Sequence, residues 1–100
     1  MKRIIVHSEA ELELWQAVDY YETKYASLGL DLEQEVSRAF VDILEAPDRW
    51  PAKRDGARCH LLHRFPYGIY YIELQDVIWI VAVAHTRRKP CYWRYRMNAQ

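Results

Sequence analysis

The chain has 100 residues, of which 51% are hydrophobic and 14% aromatic, and its 14 acidic and 14 basic side chains balance to a net charge of zero. This length suffices for one hydrophobic core, so we expect a single domain over residues 1–100 that needs neither disulfides nor a metal. No apolar run reaches the roughly 20 residues of a membrane helix, and the apolar stretch near the N-terminus is too short for a signal peptide. We therefore expect a cytoplasmic protein that has no membrane partner.

The two halves of the chain carry opposite charge. Residues 1–50 hold eleven acidic and five basic side chains, whereas residues 51–100 hold three and nine. The basic excess is densest in the segment His85–Arg96, where six of twelve residues are Arg, Lys or His and three are aromatic. This pattern favours an electrostatic surface for a phosphate backbone or an acidic partner chain. The alternative, in which the halves neutralise each other within the fold, stays open.

A strand and a helix are predicted at the N-terminus. Residues 2–7 carry Ile-Ile-Val at their centre, which is typical of a short strand. Ser8 and Glu11 have the spacing of a capping box, so a helix should begin there and run over residues 8–27. Its apolar stripe consists of Leu14, Val18, Tyr21 and Tyr25, with Trp15 on the flank, and we expect these aromatic rings in the core. Gly29 predicts the end of the helix, because glycine readily adopts the left-handed conformation found there.

A second helix is predicted over residues 30–46, with Asp31 as its N-cap and Pro47 as its stop. Its apolar stripe consists of Leu32, Val36, Ala39, Phe40 and Ile43. Because the turn between the two helices is short, we expect them to form an antiparallel pair.

Three strands are predicted after the helices, over residues 58–65, 67–74 and 77–85, and a basic aromatic tail follows over residues 86–100. The last strand is apolar on both faces, which indicates a central strand covered on both sides. The expected fold is α+β with the order β-α-α-β-β-β: an antiparallel sheet, a two-helix hairpin packed on one face, and a concave cationic opposite face.

Several segments, in this order and spacing, resemble the RelE/ParE superfamily of bacterial toxins from type II toxin–antitoxin systems, often called plasmid-stabilisation proteins. The ending is similar to a ParE-like branch. The matching segments are Ala17–Glu22, Gly29, Ala46–Pro47, Trp50–Pro51, Arg64–Tyr67, Ile69–Tyr71, Ala82–His85, Arg87–Pro90 and Tyr92–Arg94. The resemblance implies a toxin that is neutralised by a cognate antitoxin. ParE-like members poison DNA gyrase without chemistry of their own, whereas RelE-like members are mRNA interferases that cut mRNA on the ribosome.

The two targets require different residues. Metal-independent RNA cleavage by a 2′-hydroxyl needs a base, cations for the charged phosphorane and an acid for the leaving oxygen. The candidates for these roles, in the nuclease alternative only, are His85, Tyr92 and Arg64. The resemblance also implies cations where this chain has Leu62 and Gly68, and their absence favours the gyrase poison over the nuclease. A non-toxic module that only binds its antitoxin is the third alternative.

Binding residues are predicted on the sheet and in the tail. The candidates for contacting the target or a nucleic acid are Arg58, His60, Arg64, Arg87, Arg88, Lys89, Trp93, Arg94 and Arg96. The candidates for contacting the antitoxin are Tyr20, Arg64, Tyr70, Arg87 and Arg88. We expect Arg64, Arg87 and Arg88 to converge on an open, anion-receptive hollow. If Tyr92 and Trp93 dock the tail on the sheet, Arg94 and Arg96 should remain free.

The expected partners are the antitoxin and either gyrase or the ribosome with its mRNA, and a homodimer or a heterotetramer with the antitoxin is open. No cofactor is expected. Cys59 and Cys91 should be free thiols, since the chain has no export signal. Together with His63 and His85 they lack the close ligand spacing of a zinc site, so no metal is expected.

Overall fold

The structure, a computed structural model, describes residues 2–98, so Met1 and the last two residues of the predicted tail lie outside it. Its elements are β1 (Arg3–Val6), α1 (Ser8–Lys24), α2 (Leu28–Glu45), β2 (Arg58–Leu61), β3 (Tyr67–Glu73), β4 (Val77–His85) and a short 3₁₀ helix (Arg94–Asn98). The predicted β-α-α-β-β-β order is confirmed. None of the helices in this part of the chain is long and apolar enough to cross a membrane.

The four strands form one sheet in the order β1-β4-β3-β2. The pairs β2–β3 and β3–β4 are antiparallel, but β1 runs parallel to β4, with Arg3 opposite Val77 and Val6 opposite Ile80. The sheet is therefore mixed, and the prediction of an antiparallel sheet is wrong for β1. A tight turn shows that the strands it joins are antiparallel. β1 and β4 are instead separated by both helices and by β2 and β3, so the sequence between them does not indicate their relative direction.

The helices cover one face of the sheet. The predicted stripe of α2 is packed there, with Leu32, Val36, Ala39 and Ile43 fully buried and Phe40 partly buried against them. On α1 the core positions are Ala10, Leu14, Ala17, Val18 and Tyr21. The prediction that Trp15 and Tyr25 are core residues is wrong, since they are 43% and 76% exposed. Trp15 lies beside the stripe and Tyr25 follows the end of α1, so neither faces the sheet.

The C-terminal segment covers the opposite face of the sheet. Trp93 is only 2% exposed and packs against Tyr70, with 4.8 Å between their ring centroids. The indole nitrogen of Trp79 donates a hydrogen bond to the carbonyl oxygen of Arg96 at 3.0 Å, which fixes the 3₁₀ helix to β4. The docking of the tail, which the sequence had left open, is present, whereas residues 2–98 do not form the predicted concave cationic face. This face is apolar and buries its rings beneath the tail.

The ends of α1 and α2 differ from the prediction. His7, not Ser8, caps α1, because its Nδ1 accepts the N–H of Glu9 at 3.0 Å. α1 ends at Lys24, and Ser27, with a φ of 72°, takes the left-handed position that had been assigned to Gly29.

Gly29 instead lies inside the first turn of α2, which begins at Leu28 and is not capped by Asp31. The carboxylate of Glu22 accepts the N–H groups of Ser27 and Gly29 at 2.8 and 2.9 Å. A side chain of α1 therefore satisfies amides that α2 leaves unpaired, and it joins the two helices.

Strand β2 ends at Leu61, four residues before the predicted end of the strand. The carboxylate of Glu35 on α2 accepts the backbone N–H groups of His63 and Arg64. Because these amides bond to a helix side chain, the segment turns away from β3 before Pro66.

Candidate functional site

Two of the predicted binding residues on β2 hold the loop between α2 and β2. Arg58 donates to the carbonyl oxygen of Trp50. His60 is 8% exposed and stacks on the ring of Trp50, with centroids 4.2 Å apart, while its Nε2 lies 3.7 Å from a carboxylate oxygen of Asp42. These side chains are engaged within the protein, and their role in target binding stays a prediction.

Arg64 lies beside α2. Its guanidinium is exposed and 3.3 Å from the carboxylate of Asp31. Both residues line a shallow cavity of about 280 Å³ together with Gln34, Glu35, Arg38 and His63. The sequence pointed to Arg64 and Arg88 meeting in one hollow, but the structure places them in different cavities.

A second cavity, hereafter the groove, lies between α1 and the end of β4 and measures about 290 Å³. Its lining residues are Glu13, Gln16, Ala17, Tyr20, Tyr67, Val83, His85 and Arg88. Tyr67 and His85 are opposite each other on β3 and β4, and their rings meet edge to face at 5.2 Å. Tyr20 is 53% exposed. The groove thus offers two phenol rings, an imidazole and a guanidinium to a partner.

His85 is oriented by the turn that follows β4. Its Nδ1 accepts the backbone N–H of Arg87 at 3.0 Å. In the neutral ring the proton is therefore on Nε2, the nitrogen that has no hydrogen-bond partner within residues 2–98. His85 can donate a hydrogen bond from Nε2 in this tautomer.

The edge of β4 beside the groove is closed by an ion pair. Strand β1 reaches only as far as Ile80, so beyond it this edge has no partner strand among residues 2–98. The N–H of Val83 donates to Glu13 at 3.0 Å, and the carbonyl oxygen of Val81 accepts from Arg96 at 3.0 Å. Arg96 also binds both carboxylate oxygens of Glu13 at 3.0 Å. These two side chains replace the missing strand, since buried backbone groups need partners.

Tyr92 completes this network. Its hydroxyl donates to Glu13 at 2.6 Å. Burial raises the pKa of Tyr92, and its hydrogen bond to the Glu13 carboxylate raises the pKa further. Burial alone would lower the pKa of Arg96, but the Glu13 carboxylate more than offsets this and the pKa is raised. The two residues are thus held as a neutral phenol and a permanent cation.

The cations of the tail differ in their availability. The prediction that Arg94 and Arg96 remain free is wrong: Arg96 is 4% exposed, and Arg94 lies 3.4 Å from the carboxylate of Asp55. Arg87, Arg88 and Lys89 are exposed and form no salt bridge within the described part of the chain. Within the tail, the cations that form no salt bridge are therefore those of the turn after β4, beside the groove.

Of the predicted antitoxin contacts, Tyr20 and Arg88 line the groove and Arg87 lies next to it, whereas Tyr70 packs under Trp93. Burial raises the pKa of Tyr70 to about 12, with a smaller contribution from Cys59. Sequence reasoning missed Glu13 and Glu35. Both lie on acidic helices, where a carboxylate that bonds to a distant backbone amide looks the same as a solvated one.

Metal binding has no support in the described residues. No three His, Cys, Asp or Glu side chains between residues 2 and 98 are placed to hold an ion. Cys59 and Cys91 are both free thiols.

Comparisons with known proteins agree with this architecture. Residues 4–90 match the family model described as the ParE toxin of the type II toxin–antitoxin system parDE. A solved chain of the chromosomal ParDE toxin–antitoxin system from P. aeruginosa superimposes with a TM-score of 0.73 at 17% identity, covering 85% of this chain and 95% of that one. At this identity the likeness shows the fold alone. No curated protein matches the chain. The family model covers most of the sequence, and the chain therefore belongs to the ParE toxins of type II toxin–antitoxin systems.

Proposed function

We propose that this ParE toxin acts in the cytoplasm by binding and poisoning DNA gyrase, without chemistry of its own, and that a cognate antitoxin neutralises it. The observation that carries the choice between binding and RNA cleavage is the hydrogen bond from Tyr92 to Glu13 at 2.6 Å. It engages the one phenol that the nuclease alternative would use as an acid.

A ribonuclease would need an available acid beside its base and its cation. An acid that protonates a leaving oxygen works best with a pKa near the working pH, and burial and Glu13 raise the pKa of Tyr92 away from it. Arg96 is bound to Glu13, and Arg64 lies in the cavity beside α2. His85 and Arg88 line the groove together and could supply a base and a cation, but the acid candidate Tyr92 is bound to Glu13.

The exposed features suit binding. The turn that carries Arg87, Arg88 and Lys89 lies beside an aromatic groove that has Tyr20 on its rim. Three adjacent cations repel one another, and an anionic partner relieves that repulsion. We propose that an acidic segment of the antitoxin covers this same surface and folds upon binding, so that neutralisation blocks the contact with the target. A homodimer or a heterotetramer with the antitoxin stays a prediction.

Expression of the chain without its antitoxin tests which cellular target it inhibits. We expect DNA synthesis, followed by pulse labelling, to stop before RNA and protein synthesis, and the purified chain to inhibit supercoiling by gyrase and to leave broken DNA. Arg88→Ala should weaken inhibition about tenfold, which is the loss expected for one charge-assisted hydrogen bond. Arg54→Ala removes an exposed arginine outside the groove and should leave inhibition unchanged.

Two other outcomes would contradict the gyrase proposal. Early arrest of protein synthesis with codon-positioned cuts in mRNA would favour the ribosome-dependent nuclease. Normal growth after induction would favour a module that binds its antitoxin without toxicity.

A further inference from the structure

A chain of contacts connects the exposed turn after β4 to the buried ion pair. The guanidinium carbon of Arg88 lies 3.9 Å from the centre of the Tyr92 ring. The hydroxyl of Tyr92 donates to Glu13, and Glu13 is held by both terminal nitrogens of Arg96. An exposed cation thus rests on a ring whose polar end is fixed inside the protein.

The inner end of this chain is anchored to the central strand. Glu13 accepts the N–H of Val83, and Arg96 donates to the carbonyl oxygen of Val81. The guanidinium of Arg96 is almost completely buried, with 5% of its side chain exposed, against 13% for Glu13. The position of Tyr92 is therefore set by β4, which is buried on both faces along most of its length.

The outer end of this chain of contacts is Arg88, whose binding to a partner is favoured when its side chain is already ordered. An arginine on an exposed turn samples many rotamers, and it loses this freedom when it binds a partner. A guanidinium that already stacks on an aromatic ring has lost part of that freedom before binding. Arg87 and Lys89 have no aromatic ring beneath their charged groups among residues 2–98. Arg88 is the preorganised cation of this turn.

We propose that Glu13 and Arg96 are positioning residues for target recognition: they fix Tyr92, which in turn orients Arg88 towards the target. The inference rests on the proposed function, in which the toxin acts by binding through this turn. It assigns Tyr92 a role through its ring and its hydroxyl hydrogen bond, with no transfer of its proton.

A double-mutant cycle separates positioning from general stability. Tyr92→Phe keeps the ring and removes the hydrogen bond to Glu13. Arg96→Lys keeps the positive charge and removes the bidentate contact with the Glu13 carboxylate. Each change should lower the potency of growth inhibition roughly threefold to tenfold, which corresponds to ordering one long side chain. In an Arg88→Ala background the same changes should have no further effect. Potency is compared at equal amounts of folded protein, which circular dichroism verifies.

A matched control and several opposing outcomes complete the test. Asn98→Ala alters an exposed residue of the same 3₁₀ helix and should leave potency unchanged. Equal losses in both backgrounds would overturn the inference, because they would reflect structural damage. Full potency of Arg88→Ala would overturn it too, as would a wild-type chain that leaves growth unaffected. RNA cleavage by the wild type that Tyr92→Phe abolishes would assign the hydroxyl to catalysis instead.

Growth inhibition measures the effect of Glu13, Tyr92 and Arg96 on potency for any target. The gyrase proposal and the positioning inference can therefore be refuted independently. If the cycle behaves as expected while supercoiling by gyrase is unaffected, the gyrase proposal fails and the positioning inference stands. If gyrase is inhibited but the losses are additive, the positioning inference fails and the gyrase proposal stands.

Discussion

Gly29 lies close to the backbone of α1, and the structure predicts whether its replacement by alanine stabilises or destabilises the protein. Gly29 is within α2, so Gly29→Ala should gain about 1 kcal/mol from helix propensity. The added Cβ would, however, lie 2.5 Å from the carbonyl oxygen of Val18 and 2.9 Å from Oε1 of Glu22. Since a backbone oxygen cannot rotate away, the helices must separate, which costs about 1–3 kcal/mol.

The displaced Glu22 carboxylate would also release the amides of Ser27 and Gly29, at about 1 kcal/mol for each hydrogen bond. The costs exceed the gain, and we expect a net loss of about 2–4 kcal/mol in the free energy of unfolding.

Urea unfolding followed by far-UV circular dichroism measures this loss. Two matched variants separate the contribution of helix propensity from that of the Glu22 hydrogen bonds. Ser37→Ala, at an exposed position of α2, should stabilise the protein by up to about 0.5 kcal/mol. Glu22→Ala, which removes the carboxylate without adding an atom at Gly29, should cost about 1–2 kcal/mol, less than Gly29→Ala. A Gly29→Ala protein as stable as the wild type would refute the reasoning, because the backbone contact would then carry no cost.

Two further predictions concern the two faces of the sheet. Burial raises the pKa of Tyr71 from 10.0 to about 12, so its stabilising effect is complete below pH 10 and is lost as the pH rises to 12. Tyr71→Phe should flatten the fall in the free energy of unfolding over this range, and it should cost about 1 kcal/mol at neutral pH by removing the hydrogen bond to Pro47. An unchanged alkaline slope in urea titrations would contradict this. Trp93→Ala should cost about 3–5 kcal/mol and expose the tail to limited proteolysis, and an equally resistant tail would show that the indole does not hold it.

The order of the elements could be predicted because each carries a local pattern. The spacing of Leu32, Val36, Ala39 and Ile43 defines the buried face of α2, and the apolar run of β4 indicates a strand covered on both sides. The ends of the elements were less predictable, because distant side chains set them. Glu35 ends β2 from 28 residues away in the sequence, and no local signal marks that contact.

The candidate site was predicted in part, for the same physical reason. The cationic turn after β4 follows directly from composition, and Tyr20, His85 and Arg88 do line one groove. Which arginines remain available depends on tertiary contacts that composition does not record. Arg96 is separated from Glu13 by 83 residues, and Arg64 from Asp31 by 33, yet both pairs form.

The opposite charges of the two halves of the chain have two roles. Arg64 and Arg96 pair with carboxylates of the acidic half, so part of the asymmetry is internal neutralisation, which the sequence had left open. The turn at Arg87, Arg88 and Lys89 has no such partner within residues 2–98. A net charge of zero does not weaken its attraction for an anion, because charges act strongly only within about 8 Å at physiological salt, and the molecule extends 39 Å along its longest axis. In the proposed complex, an acidic antitoxin segment would therefore meet a locally positive surface on a protein that is neutral as a whole. Since the proposal also has this segment cover the groove beside Tyr20, we expect a higher salt concentration to weaken the complex without dissociating it fully.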